Sequence, residues 1–221
     1  MKMNECLIIM VKQPAPGKVK TRLARDIGEI PAAELYACFL ADLWERVGQL
    51  AIPVIISCEQ QSSVEYFRSH DKAEIIIQRG NNIGERMYDA FTECFRKGYG
   101  RAILIGSDSP DIPHSYFWQA ISSLEACDMV IGPTTDAGYY LVGFKQETLC
   151  EDIFREINWS TSKVWEETQA RILQNRINCH ILPEWYDIDT ISGLQKYFYQ
   201  NSRSMPCSET IRYLLKMEVL S

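Results

Sequence analysis

The most unusual chemistry in the sequence is a cluster of positive charges directly after an apolar segment. Residues 13–26 read QPAPGKVKTRLARD and hold four basic residues within eight positions. These are Lys18, Lys20, Arg22 and Arg25. Gly17 permits close approach of a ligand to the backbone, and a helix that begins at Thr21 would offer N–H groups to a phosphate. The segment matches neither GxxxxGK[ST] nor GxGxxG. We interpret it as an anion-binding loop, with a solvated basic turn as the alternative.

Carboxylates collect in three other segments that border apolar runs. They are Asp108 and Asp111 in ILIGSDSPDIP, Asp136 in GPTTDAGYYLVGF, and Asp187 and Asp189 in WYDIDT. A carboxylate at the end of a buried strand needs a partner, and hydrated Mg²⁺ held together with substrate phosphates would supply one. Capping of a turn by Asp108, or of a helix by Asp189 or Thr190, is the simpler alternative. Together with the basic loop, these segments indicate a metal–phosphate site.

Short apolar runs alternate with amphipathic stretches along the chain, and this pattern predicts the elements that must position these residues. This alternation is typical of an α/β fold with a largely parallel sheet. Strands are predicted at 6–11, 53–58, 74–78, 102–105, 129–131, 139–144 and 178–182. Helices are predicted at 31–50, 83–95, 160–175, 190–200 and 209–217. Ligands of open α/β sheets bind beyond the carboxyl ends of the strands, where the polar segments fall.

Composition narrows the class of protein. The chain has 221 residues, 23 of them basic and 29 acidic, for a net charge of −6. This acidic balance argues against a nucleic-acid surface. No run approaches the roughly 20 apolar residues of a membrane span. The amino-terminal segment also lacks a signal-peptide pattern, so we expect a cytoplasmic protein.

The eight cysteines are at least twenty residues apart, and no CxxC pair occurs. This spacing argues against a zinc knuckle or a thioredoxin-type redox site, so we interpret the cysteines as small hydrophobic residues. The length predicts one domain over 1–221. A loop at 201–208 opens a helical extension at about 201–221.

Five motifs, three of them within the segments described above, occur together in one order. They are PGKVKTRL (16–23), GNNIGERM (80–87), IGSDSPDIP (105–113), INWST (157–161) and DIDT (187–190). In these motifs the sequence resembles the bacterial radical-SAM/selenodomain-associated transferase family, glycosyltransferase-like proteins of the nucleotide-diphospho-sugar transferase superfamily. The resemblance covers residues 7 to 198 and implies a GT-A-like (Rossmann-like) three-layer sandwich with a mostly parallel, mixed central sheet. One departure is Ala137, in DAGYY, where the family usually has DGGYY.

The resemblance also implies metal ligands. Asp108 matches the residue that holds a divalent cation, Mg²⁺ or Mn²⁺, which bridges the nucleotide phosphates. Asp187 and Asp189 match the late acidic motif of the family. We predict these three residues and Asp111 as the metal-binding set.

Catalytic and binding roles follow in the same way. Lys20 and Arg22 match cations that face the phosphates, and Asp136 is our candidate general base for an acceptor hydroxyl. The other predicted nucleotide- or substrate-binding residues are Gly17, Lys18, Thr21, Gly80, Gly84, Arg86, Ser107, Gly138, Trp159, Ser160 and Thr161. For the last three a simpler reading exists, because Ser160 can cap the next helix and Trp159 can belong to the core.

The expected function is that of a metal-dependent transferase. It would bind a nucleotide diphosphate sugar and pass the glycosyl group to an acceptor that the sequence does not identify. The alternative is a nucleotidyltransferase that uses a nucleoside triphosphate, because KTRL also resembles the first loop of guanylyltransferases. A non-catalytic nucleotide-binding module is the third possibility, since Ala137 departs from the family. No oligomeric state is predicted.

Overall fold

The computed structural model describes residues 4–68, 73–205 and 208–217, and within them the chain forms a seven-stranded sheet. The strands are β1 (Glu5–Val11), β2 (Val54–Cys58), β3 (Glu74–Ile77), β4 (Arg101–Ile105), β5 (Met129–Pro133), β6 (Tyr139–Lys145) and β7 (Cys179–Ile181). Their order across the sheet is β3-β2-β1-β4-β6-β5-β7. All seven predicted strands are confirmed, each with ends within two residues of the prediction.

The sheet is mixed and mostly parallel, which confirms the predicted α/β fold class. β1 pairs in parallel with β2 and with β4, β2 with β3, and β5 with β7. Only β6 runs the other way, antiparallel to both β4 and β5. The carboxyl ends of β1 to β4 therefore lie at one edge of the sheet. In that register Val11 pairs with Cys58, and Ile9 pairs with Ile105.

Eight α-helices occur in the described residues. They are α1 (Ala24–Ile27), α2 (Glu29–Gly48), α3 (Val64–Arg68), α4 (Ile83–Arg96), α5 (His114–Ser123), α6 (Val164–Gln174), α7 (Ile191–Asn201) and α8 (Glu209–Met217). None of them combines the length and the apolar character that a bilayer span requires. The predicted α8 is confirmed at both ends, and α2, α4 and α7 are confirmed to within about two residues.

Two helix predictions need correction. The helix expected from Thr21 begins at Ala24 and has four residues, because residues 21–23 form a turn. The helix expected from Ser160 begins at Val164. Ser160 has a φ of 63°, which a helix cannot accommodate. Helices α3 and α5 were not predicted. Helix α3 has only five residues, and Pro113 precedes α5 without any side-chain cap.

Packing divides the described residues into two compact units. The first, here called the sheet unit, comprises the described residues of 4–11, 52–106 and 113–185 and contains every strand together with α3 to α6. The second, the helical unit, comprises the described residues of 12–51, 107–112 and 186–217 and contains α1, α2, α7 and α8. The single domain over 1–221 stays a prediction. Cys207 and the end of the proposed extension, 218–221, lie outside the described residues.

The core of the sheet unit lies between α4 and one face of the sheet. Phe91 of α4 meets Phe144 of β6 edge to face, with ring centroids 5.4 Å apart. Met87 and Cys94 join this cluster from the helix, and Ile8 joins it from β1. Cys94 is fully buried and free, as are the other buried cysteines that the structure describes, in keeping with their interpretation as small hydrophobic residues.

The helical unit is organised around α2. The predicted apolar stripe of this helix is buried and includes Leu35, Phe39, Leu43 and Val47. Phe39 lies against Tyr197 of α7, with ring centroids 6.4 Å apart. Helix α8 packs on α2 in the same unit. This rigid group of helices supports the loops that carry the charged residues described next.

Candidate functional site

The centre of the candidate site is an ammonium group held between two carboxylates in the helical unit. Lys20 Nζ lies 2.5 Å from Asp108 Oδ1 and 3.1 Å from Asp189 Oδ1. Arg22 approaches the other oxygen of Asp189, with 3.8 Å between Nη1 and Oδ2. Three of the segments singled out in the sequence therefore meet at one place: the basic loop, the central acidic motif and the late acidic motif.

Lys20 is the buried member of this cluster. Its side chain is 2% exposed, whereas those of Asp108 and Asp189 are 47% and 38% exposed. Burial alone would lower the pKa of Lys20, but the charges of the two carboxylates outweigh burial and raise this pKa above its ordinary value. The ring of Phe39 adds a cation–π contact, 5.3 Å from Nζ to the ring centroid. The ammonium of Lys20 therefore stays positively charged while it pairs with both carboxylates.

The backbone of Lys20 is strained in this position. Its φ of 47° lies in the left-handed region, which costs an L-residue about 1–2 kcal/mol. Ala24 N donates a hydrogen bond of 2.8 Å to Lys20 O, which begins the turn that leads into α1. Lys20 is buried, whereas the next residue, Thr21, is exposed.

A buried tyrosine joins the residue that follows β1 to the acidic loop. Lys12 N donates to Tyr36 Oη at 3.1 Å, and Tyr36 Oη lies 2.7 Å from Ser107 Oγ. Burial and the negative charge of Asp108 raise the pKa of Tyr36 to about 12, so the phenol stays protonated. Ser107, which the sequence predicts as a binding residue, is thereby held next to Asp108 in the chain. Sequence reasoning missed Tyr36 because it falls within the apolar stripe of α2.

The late acidic motif is fastened to the central acidic motif by one backbone hydrogen bond and by the hydroxyl of Ser109. Ile188 N donates to Asp108 O at 3.0 Å. Ser109 Oγ lies within 2.7 Å of Asp187 Oδ1 and 2.8 Å of Tyr186 O. Asp187 therefore contacts Ser109 of the central acidic motif, whereas Asp189 reaches Lys20. These bonds explain why Asp108 and Asp189 lie side by side although they are distant in sequence.

Asp111 has a different environment from Asp108. It is buried, and its Oδ2 accepts hydrogen bonds from Tyr186 Oη and, at 2.9 Å, from Asn201 Nδ2. Burial and the nearby Asp111 raise the pKa of Tyr186. Asp111 consequently ties the acidic loop to α7, and this placement gives it a supporting position rather than one beside Lys20.

The donor set around Lys20 suits a hard divalent cation. Two partly exposed carboxylates, Asp108 and Asp189, present oxygen ligands of the kind that Mg²⁺ and Mn²⁺ prefer, and Mg²⁺ sites often use only one or two carboxylates plus phosphate oxygens. Among the described residues no cluster of three or more His, Cys, Asp or Glu side chains could hold a metal. Water or the oxygens of a bound phosphate would complete the coordination of a cation here.

In the sheet unit, the GNNIGERM motif forms the start of α4. Asn82 caps the helix by accepting from Glu85 N at 3.0 Å, and Glu85 in turn accepts from Asn81 N at 2.8 Å. Gly80 has a φ of 132°, and a Cβ there would lie 2.6 Å from Glu85 Cβ. Both the backbone conformation and the close approach therefore require glycine at this position.

Arg86 projects from the first turn of α4. Its Nε donates to Gly80 O at 3.2 Å, and Nη1 lies 3.7 Å from Glu59 Oε1. Glu59 directly follows β2, and Gly80 lies in the segment after β3, so this contact joins the ends of two parallel strands. Sequence reasoning missed Glu59, although its position after a strand was a usable signal.

Gly84 and Trp159, both predicted as binding residues, pack against each other. A Cβ on Gly84 would lie 2.5 Å from Trp159 Cζ2 and 2.7 Å from Phe154 O. Trp159 also lies edge to face with Tyr139, with ring centroids 6.3 Å apart. The absence of a side chain at Gly84 thus makes room for the indole, which favours the core interpretation of Trp159.

Ser160 and Thr161 lie in the exposed turn that precedes α6. Thr161 Oγ1 donates to Asn158 O at 2.6 Å and accepts from Lys163 N at 3.2 Å. The N-cap residue of α6 is Lys163, without a side-chain cap bond. The capping role considered for Ser160 is therefore wrong, because the helix starts too late in the chain.

Asp136 lies in a tight turn between β5 and β6. Thr134 Oγ1 donates to Asp136 Oδ1 at 2.6 Å and accepts from Gly138 N at 3.0 Å. Ala137 has a φ of 68°, and its carbonyl oxygen accepts from Trp165 N at 2.8 Å. The departure from DGGYY thus places an alanine where the backbone favours glycine.

The remaining predicted residues of the basic loop are exposed. Gly17 has a φ of 71°, and Lys18 N donates to Ala15 O at 3.0 Å to close the turn before Lys20. Lys18 and Thr21 have exposed side chains. Their binding roles, like those of the other site residues, stay predictions.

Comparisons with known proteins agree with this architecture. The model of a family described as "Uncharacterized protein conserved in bacteria (DUF2064)" matches residues 43–161. A structure from Desulfovibrio desulfuricans G20, described as a "putative nucleotide-diphospho-sugar transferase", is 34% identical. The match covers 99% of this chain and 96% of that one, with a TM-score of 0.93. No curated protein matches the sequence.

More distant solved structures share the fold alone. CMP:2-keto-3-deoxy-manno-octonic acid synthetase, complexed with CTP, is 12% identical with a TM-score of 0.60 over 91% of this chain and 99% of that chain. Rv0371c from Mycobacterium tuberculosis H37Rv, in complex with manganese, is 12% identical with a TM-score of 0.52 over 89% and 98%. Structures with this fold thus include a nucleotide complex and a manganese complex.

Proposed function

The chain belongs to the bacterial DUF2064 family, and on that basis we propose that it is a transferase that acts on a nucleotide substrate. Its fold is the one found in nucleotide-utilising transferases. In its specific form, the proposal is a metal-dependent transfer of a glycosyl group from a nucleotide diphosphate sugar to an acceptor. The observation that carries it is the cluster of Lys20 with Asp108 and Asp189. The link to radical-SAM proteins that the sequence resemblance implies stays a prediction.

The residues of the cluster have complementary tasks in this proposal. Asp108 and Asp189 hold Mg²⁺ or Mn²⁺, which when bound would neutralise charge on the diphosphate. Lys20 and Arg22 bind the phosphates and stabilise the negative charge that grows on the leaving group as its bond to the sugar breaks. Arg22 is well placed to do so because its side chain is 59% exposed.

Proton removal from the acceptor is assigned to Asp136. The carboxylate is exposed, and the hydrogen bond from Thr134 Oγ1 to Oδ1 orients it. A carboxylate can take the proton of an acceptor hydroxyl as the new glycosidic bond forms. An Asp136→Asn variant should therefore retain nucleotide binding and lose turnover.

The second candidate reaction is nucleotidyl transfer from a nucleoside triphosphate. The CTP complex of the synthetase with the same fold favours it. In this reaction a nucleophilic oxygen of the acceptor attacks the α-phosphorus and pyrophosphate leaves. The same cations, Lys20 and Arg22, would then stabilise pyrophosphate instead of a nucleoside diphosphate.

A ligand panel followed by product analysis tests the proposal. Thermal unfolding is measured with nucleoside triphosphates and nucleotide sugars, each with and without Mn²⁺, and a ligand at 100 times its Kd should add about 2.7 kcal/mol of stability. The ligand that stabilises the protein is then incubated with candidate acceptors. Release of a nucleoside diphosphate supports glycosyl transfer, and release of pyrophosphate supports nucleotidyl transfer. If no nucleotide shifts the unfolding temperature, the proposed function is wrong.

A further inference from the structure

We propose that Lys20 is an internal counterion that occupies the metal-binding carboxylates of the free protein and must leave them when a metal–nucleotide complex binds. The proposal rests on the function proposed above and specifies the order in which the site is filled. It predicts that the bare metal binds weakly and that the metal enters together with phosphate. Lys20 thereby makes occupancy of the metal site dependent on the nucleotide.

The geometry of the cluster supports this role. The Oδ1 atoms of Asp108 and Asp189 share a single partner, Lys20 Nζ, at 2.5 and 3.1 Å. A divalent cation held by the same carboxylates would bring a second positive centre within a few ångströms of the ammonium. At an effective dielectric constant of about 20, even two unit positive charges about 4 Å apart repel each other strongly. It is therefore strongly unfavourable for the metal and the ammonium of Lys20 to lie close together at these carboxylates unless an anion separates them.

The burial of Lys20 decides what happens when it is displaced. Only 2% of its side chain is exposed, so the ammonium cannot simply exchange its carboxylate partners for bulk water. The ring of Phe39 contacts the ammonium as well. A phosphate oxygen that arrives with the metal supplies the missing partner. Release of Lys20 from the carboxylates is thereby coupled to its contact with the phosphate.

Mn²⁺ binding without nucleotide provides the direct test. Calorimetry at fixed ionic strength compares wild-type protein with Lys20→Met, which keeps much of the volume of the side chain and removes its charge. We expect Mn²⁺ to bind Lys20→Met at least about tenfold more tightly than wild type. Lys216→Met is the matched control, because it removes an exposed lysine charge from α8 of the same unit, and it should change Mn²⁺ affinity less than about threefold.

A measurement on the wild-type protein covers the case in which Lys20→Met does not fold. The ¹⁵Nζ resonance of Lys20 is followed by NMR during titration with Mg²⁺ to saturation. Displacement from the carboxylates must shift this resonance, whereas an unchanged resonance at saturation overturns the proposal.

The outcomes separate this inference from the proposed function. Equal Mn²⁺ affinity of wild type and Lys20→Met, with nucleotide binding still dependent on Mn²⁺, overturns the counterion role alone. Nucleotide binding that needs no metal in any of these proteins also overturns it, because Lys20 is then a permanent substitute for the cation. If no nucleotide binds at all, the proposed function itself is wrong.

Discussion

At the scale of the residue, two aspartates from one motif have separate tasks. Asp108 is 47% exposed and contacts the ammonium of Lys20, whereas Asp111 is buried and accepts from Tyr186 and Asn201. Only the first offers carboxylate oxygen to an incoming ligand. In the proposed function the metal would therefore bind Asp108 and Asp189, whereas Asp111 holds the loop against α7 through Asn201.

The Asp108→Asn variant tests this division. The amide keeps the shape of the side chain and loses its charge, so the gain in nucleotide affinity that Mn²⁺ provides should fall at least about tenfold. Lys20 also loses one of its two partners. Because Asp108 is half exposed, we expect the free energy of unfolding to drop by only about 1–2 kcal/mol. Nucleotide titrations with and without Mn²⁺ measure the first effect, and urea unfolding measures the second.

Asp26→Asn is the control for this experiment. Asp26 is an exposed carboxylate of α1 in the same unit, so its neutralisation changes the overall charge equally. Its Mn²⁺ effect should match that of the wild type. An intact metal effect in Asp108→Asn would return Asp108 to the simpler role of a turn residue.

Ala137 illustrates backbone strain at a single residue. A φ of 68° costs alanine about 1–2 kcal/mol, while glycine loses roughly 0.4–1 kcal/mol more conformational entropy on folding. Ala137→Gly should therefore stabilise the protein by about 0.5–1 kcal/mol in urea unfolding. Ala170→Gly, in the exposed middle of α6, is the same substitution at ordinary helical φ and should destabilise by about as much. If both variants stabilise the protein, or if both destabilise it, backbone strain at Ala137 is unimportant.

At the scale of the element, one buried carboxylate fixes the last helix. Asp42 of α2 accepts from Ser208 Oγ at 2.6 Å, Glu209 N at 2.7 Å and Thr210 N at 3.0 Å. It therefore caps the amino terminus of α8 from a distant part of the chain, where a negative charge also complements the helix dipole. These three hydrogen bonds hold α8 against α2 within the helical unit.

Removal of this cap should loosen α8. Asp42→Ala leaves three donors without their acceptor, so we expect a loss of about 2–3 kcal/mol in the free energy of unfolding. Faster cleavage of the segment before α8 by a broad-specificity protease should accompany that loss. Glu45→Ala removes an exposed carboxylate from the same helix and should stay within about 0.5 kcal/mol of wild type. Equal protease resistance of the two variants would contradict the capping role.

At the scale of the whole molecule, buried phenols predict sensitivity to alkali. Burial raises the pKa of Tyr139, Tyr140, Tyr186 and Tyr197 above the ordinary value, and it raises that of Tyr36 to about 12. The folded chain keeps these protons at a pH where the unfolded chain releases them. Their contribution to stability is therefore complete below about pH 10 and is lost as the pH rises further. The loss should approach about 1.4 kcal/mol per pH unit for each tyrosine.

Urea unfolding between pH 8 and pH 11, with phenolate absorbance recorded in parallel, measures this effect. Tyr197→Phe removes one buried phenol and should make the fall in stability shallower. Tyr199→Phe removes an exposed one from the same helix, α7, and should leave the slope as in wild type. A stability that stays constant to pH 11 would rule out the effect.

The sequence by itself determined the fold class, all seven strands and most of the longer helices. Short apolar runs such as 102–105 predict buried strands because burial on both faces requires unbroken hydrophobic character. The 3.6-residue period of α2 and α4 predicts helices because one stripe must face a core. These signals are local. They also predicted the loops after the strands, where Lys20 and Asp108 were expected to act.

Only the tertiary structure decided which of these residues meet. Lys20 bonds Asp189 across 169 positions, a contact that depends on how separate elements pack and not on any local pattern. Asp108 and Asp111 look alike in sequence, and burial alone separates them. Gly84 reads as part of a ligand loop, yet it makes room for Trp159. Residue types therefore revealed which chemistry is present, whereas packing between distant segments decided which side chains share a partner, because such contacts form only once the chain is folded.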